Sequence, residues 1–130
     1  MKKLFCSYEV CLILQSLGFN EKCLGYYKHR TKKLNIQKQG ISFPIDYKYA
    51  VVAPTHSQVQ EWIVKNYNLE LNVYRQLESP SYACWCTWAN LEDEESFFKK
   101  SFEKEDYSET LNIGILEVLQ LIIKYQIKPN

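Results

Sequence analysis

The feature that most constrains this chain is a long apolar stripe near its C-terminus. Leu111, Ile115, Val118, Leu119 and Ile122 recur at helical spacing, and Leu116, Leu121 and Ile123 widen the band. Asp106-Tyr107-Ser108-Glu109 opens the run as a capping box, so the spacing predicts a helix over roughly 107–124. A band this broad has to be buried against another element. Gly114 sits inside it at a cost of about 1 kcal/mol relative to alanine, unless a close backbone approach needs the missing side chain.

The rest of the chain supplies what such a helix packs on. Ser7 is placed to cap an orphan N–H of a first helix over 7–17, whose stripe is Val10, Ile13, Leu14 and Leu17. Gly18 can take the left-handed turn that ends it, with Phe19 folding back. Cys23–Tyr27 and Leu34–Ile36 read as two strands joined by a charged hairpin tip, Lys28–Lys33. Gly40 and Pro44 punctuate the next stretch, and Tyr47–Val52 reads as a strand stopped by Pro54. Thr55-His56-Ser57-Gln58 forms a second capping box for a helix over 56–67, buried through Val59, Trp62, Ile63 and Tyr67, with a left-handed Asn68 at its end. Leu69, Leu71 and Val73 alternate with polar partners, as in a strand of an antiparallel sheet buried on one face. Ser79-Pro80-Ser81 turns the chain into a strand over 82–88, and an acidic turn at 90–95 leads to a last strand over 97–102. The expected fold is α+β: three helices packed against an antiparallel or mixed sheet of four to six strands, in one domain spanning 1–130.

Charge and cysteine usage narrow the function classes. Sixteen basic against fifteen acidic residues leave a net charge of +1, without the basic excess of a protein that grips long nucleic acid. The five cysteines, at 6, 11, 23, 84 and 86, are odd in number and widely scattered, unlike a secreted disulfide framework. Lys2-Lys3-Leu4-Phe5 is followed by Tyr8, Glu9, Gln15 and Ser16, which interrupt any signal-peptide core, and no apolar run reaches the length of a membrane span. The reading is a cytoplasmic protein with reduced thiols and no membrane partner.

The sequence carries no motif for catalysis, cofactor or metal. It has no Gly-rich phosphate loop, G-x-S-x-G elbow or H-E-x-x-H, and only four glycines from which to build a phosphate cradle. On a strand Cys84 and Cys86 face the same way, but no further ligand stands at a usual spacing, so both read as buried structural thiols. An enzyme would require scattered carboxylates such as Glu61, Glu70 or Glu78 to converge.

A binding site is easier to compose. Arg30 and Lys32 on the hairpin tip offer charge, Tyr27 or Tyr49 a ring for stacking, and Thr55, His56 and Ser57 the free N–H groups of a helix start. That set suits a small nucleotide-type ligand. An aromatic content of 15% would equally serve a surface that covers another protein, and leaves a homo-oligomer open.

Three segments together carry a resemblance. They are Tyr8-Glu9-Val10 through Leu17-Gly18-Phe19-Asn20-Glu21-Lys22-Cys23-Leu24-Gly25-Tyr26-Tyr27, Ala53-Pro54-Thr55 with Gln60 and Trp62, and the helix from Tyr107 to Ile122. The arrangement resembles small uncharacterised accessory proteins of Bacteroidetes phages, prophages and related mobile elements. The resemblance implies context only, an accessory role in the host-cell cytoplasm; for such a role the expected actions are sequestering a signalling nucleotide of a host defence system or masking a host or phage protein. It carries no functional residue across.

Overall fold

A computed structural model describes residues 2–37, 46–77, 81–88, 96–104 and 106–130, the stretch 96–104 by its backbone alone. The breaks expected at Gly40 and Pro44, the turn at Ser79–Pro80, the acidic turn 90–95 and the side chain of Trp88 lie outside the described residues. The chain forms two compact units, 1–56 and 57–130.

The first unit holds α1 (Tyr8–Ser16) and the strands β1 (Gly25–Lys28), β2 (Leu34–Ile36) and β3 (Ala50–Ala53). Ser7 caps α1 by accepting from the Val10 N–H. At the other end the Phe19 N–H donates to the Leu14 carbonyl and the Gly18 N–H to that of Gln15, with Gly18 at φ 88°. This reciprocal closure works because glycine has no Cβ to clash in the left-handed region. The sheet runs β2-β1-β3, antiparallel throughout, with Tyr27 opposite Leu34 on one side and Val51 on the other. Just past β3 its outer edge is continued by main-chain pairing: the Cys6 N–H donates to the Pro54 carbonyl, and Phe5 bridges Thr55. The Phe5 ring also lies over Gly25, where an added Cβ would come within 2.9 Å of it.

The second unit holds α2 (His56–Tyr67, all but its first residue), the strands β4 (Leu69–Arg75), β5 (Tyr82–Trp88) and β6 (Ser96–Lys104), and α3 (Tyr107–Lys124). Asn68, at φ 55°, ends α2 with its N–H on the Val64 carbonyl. Asp106 caps α3 by accepting from the Ser108 and Glu109 N–H groups. The stripe Leu111, Ile115, Val118 and Ile122 is buried, as its spacing predicts. Gly114 explains itself here: a Cβ at that position would lie 2.5 Å from Cys84 Sγ and 3.4 Å from Leu71. The helix needs glycine to come this close to the sheet. All three tryptophans of the chain, Trp62, Trp85 and Trp88, belong to this unit.

The α+β class, the three helices and the antiparallel pairing follow the sequence reading; the sheet does not. In place of one sheet of four to six strands, the described residues form two of three strands each, β2-β1-β3 and β4-β5-β6. Alternation in sequence says that a segment is a strand but not which strand it pairs with. A second correction concerns 47–49, expected as strand and found as turn. Asp46 is the cause: its carboxylate accepts from the Lys48 N–H, and its carbonyl from those of Tyr49 and Ala50.

All five thiols are free and buried. Burial pushes Cys84 and Cys86 up to about 12 and raises Cys6 and Cys11 well above the ordinary thiol range, so these four stay protonated across the neutral range. Among the described residues no group of three or more His, Cys, Asp or Glu side chains could hold a metal, and no helix is long and apolar enough to cross a membrane.

Candidate functional site

In the first unit a connected polar arrangement surrounds the β1–β2 hairpin. Lys28 ends β1, and the turn behind it closes by the Lys32 N–H donating to the Lys28 carbonyl at 2.8 Å, with Lys32 at φ 54°. The Thr31 hydroxyl accepts from the Lys33 N–H and supports the same turn. The segment 28–33 therefore presents Lys28, Arg30, Lys32 and Lys33, all exposed, from a constrained loop with no acidic residue in it.

His29 ties that loop to two other parts of the unit. Its Nε2 lies 2.9 Å from the Tyr47 carbonyl, and its backbone N–H donates to the Tyr49 carbonyl. A carbonyl oxygen can only accept, so Nε2 carries the proton. Where Nδ1 bears no proton it accepts, and the Tyr8 hydroxyl, 2.8 Å away, is the donor. A directed chain results: Tyr8 O–H to His29 to Tyr47.

Tyr8 is the first residue of α1, which is how a helix start comes to meet a hairpin 21 residues later. Its ring stands edge-on to Tyr27 at 5.7 Å, and Lys32 Nζ lies over it, also at 5.7 Å. The Tyr27 hydroxyl donates to the Cys6 carbonyl, and burial pushes that phenol up to about 12. Tyr49 is 63% exposed, with Lys48 Nζ above its ring.

The structure thus gathers Arg30, Lys32, Tyr27 and Tyr49 around one hairpin end, with revised roles. Tyr27 is half-buried and tied down by its hydroxyl, so it braces Tyr8 instead of offering a free face. The helix-start residues fare differently. Thr55 is half-buried and bridges Phe5, His56 is buried, and Ser57 lines a groove of the second unit. His56 is therefore no solvent-facing anion donor. Of the three carboxylates weighed for catalysis, Glu61 and Glu70 line that same groove, and Glu78 lies outside the described residues.

Tyr8 was not legible as a site residue. Nothing in its local sequence marks it, because its role depends on a partner distant in the chain. His29 was visible only as one member of a basic run.

Comparison with protein-family models, with curated proteins and with solved structures returned no match.

Proposed function

We propose that the first unit is a non-catalytic binding module for a small nucleotide-type ligand, taken up at the β1–β2 hairpin end. The observation that carries this reading is the Lys32–Tyr8 stack on a hairpin locked by His29. The Tyr8 ring is half-buried, and an exposed ammonium over it is held by about 0.5–2 kcal/mol, so a base can take the open part of the ring face while the ammonium moves to a phosphate. Lys48 over Tyr49 repeats the arrangement on the neighbouring turn. Arg30 supplies a planar fork for bidentate contact with phosphate oxygens. The locked hairpin lowers the ordering cost of binding.

Under the resemblance to phage and mobile-element accessory proteins, the ligand would be a host immune signal and the role its sequestration in the host-cell cytoplasm. Calorimetric titration with cyclic and ADP-ribose-type nucleotides tests the reading. Binding is expected to weaken at least about tenfold in Arg30→Ala, from loss of a charge-assisted pair, and to weaken with added salt. Absence of heat with every nucleotide in the panel would count against it. Unchanged affinity in both Arg30→Ala and Lys32→Ala would remove the hairpin from the site.

A further inference from the structure

β4 is the outer strand of the second sheet, and its backbone alternates between two neighbours. The register with β5 continues to Gln76, whose N–H donates to the Ser81 carbonyl at 3.0 Å. Even-numbered residues of β4 therefore turn their N–H and C=O groups toward β5, and Leu69, Leu71, Val73 and Arg75 turn theirs away. An independent contact agrees: the Leu71 carbonyl accepts from Gln60 Nε2 of α2 at 2.9 Å, on the side away from β5. Among the described residues no strand pairs with that side.

The same side opens onto a groove of about 440 Å³, within the size range of ligand sites. One face of α2, with Gln60, Glu61, Val64 and Lys65, forms one wall, and Glu70 and Leu71 of β4 form the other. The Gln60 primary amide stands where the N–H of an added strand would stand. The groove has two carboxylates against one ammonium, with the part-exposed Val64 as an apolar contact.

We propose that this groove binds an extended peptide that pairs with the free edge of β4, displaces the Gln60 amide from Leu71, and places a basic side chain against Glu61 and Glu70. Main-chain pairing gives the affinity, and the alternation of basic and apolar side chains gives the selection. This site belongs to the second unit and does not depend on the nucleotide reading of the first.

The probe is a blocked peptide of alternating lysine and valine, tested on the full chain beside its N-methylated twin and a glutamate–valine counterpart. The lysine peptide is expected to bind and to slow amide exchange at Val73 and Arg75, leaving Glu70 and Asn72 unchanged. The N-methylated twin, unable to donate, is expected to bind at least about tenfold more weakly. Val73→Pro removes an outward N–H and replaces a half-buried side chain, changes an edge strand tolerates, so it is expected to fold and to lose affinity to a similar degree. Gln60→Ala is expected to bind severalfold more tightly, having no amide to displace. Equal binding of the N-methylated or glutamate peptide, or no binding of any, would overturn the proposal. So would a concentration-dependent dimer whose exchange protection falls on β4, which would assign the edge to a second copy.

Discussion

The two three-stranded sheets differ most at their outer edges. Just past β3 the edge is closed by main chain, through the Cys6 N–H on the Pro54 carbonyl and the Phe5–Thr55 bridge, with Phe5 and Cys6 buried. At β4 one carbonyl, that of Leu71, is covered by the amide of a half-buried glutamine side chain. A main-chain cap cannot leave without unfolding the segment that bears it. A side-chain cap can swing away by rotating about single bonds. Both devices satisfy polar groups and blunt an edge, but only the second is exchangeable. That difference suits the first edge to structure and the second to the peptide binding proposed above.

The largest test acts on the closed edge. Cys6→Pro deletes the N–H that reaches Pro54 and a fully buried thiol, and is expected to cost about 3 kcal/mol or more, read as the denaturant midpoint by circular dichroism. A midpoint near wild type would make the β3 cap incidental. Between the extremes stand the two glycines at close approaches, one in each unit. Gly114→Ala gains helix propensity but drives a methyl into Cys84 Sγ, itself held toward the Thr110 carbonyl, so a net loss of about 1–2 kcal/mol is expected. Gly25→Ala meets a Phe5 ring that can tilt, and should cost less. The reverse ranking, measured by thermal denaturation, would show that the first unit is the more tightly packed of the two. The smallest effect belongs to the open edge: Gln60→Ala should cost about 1 kcal/mol or less, because water can replace the amide at Leu71. A cost matching that of Cys6→Pro would abolish the distinction between the edges.

What the sequence showed and what it concealed divide along range. Ser7, Gly18 with Phe19, Asn68 and Asp106 were readable because caps are agreements between residues a few positions apart. The stripe on α3 and the shared face of Cys84 and Cys86 followed from periodicity, and the burial of the two thiols from the chemistry of free cysteine. Tyr49 was misplaced because Asp46 outcompetes the strand preference of the aromatic residues after it, a local rule passed over in favour of composition. The division into two sheets, the Tyr8–His29 bond and the Gln60–Leu71 bond all join segments whose pairing no local pattern encodes. The candidate binding residues of the hairpin were found as a charge run, and their partner in α1 was not.

The placement of the tryptophans has a consequence for watching the molecule at work. All three indoles fall beyond residue 56, whereas the first unit absorbs only through Tyr8, Tyr26, Tyr27, Tyr47, Tyr49 and its phenylalanines. Light at the red edge of the aromatic band therefore excites the second unit and leaves the first dark, without any label. Indole emission becomes a private signal for the second unit; because Tyr67, Tyr74, Tyr82, Tyr107 and Tyr125 also lie there, the first unit is followed by amide exchange in β1 instead of by its phenols. If the two signals melt together, the chain is a single cooperative block; if they part, its two units are independently folding bodies.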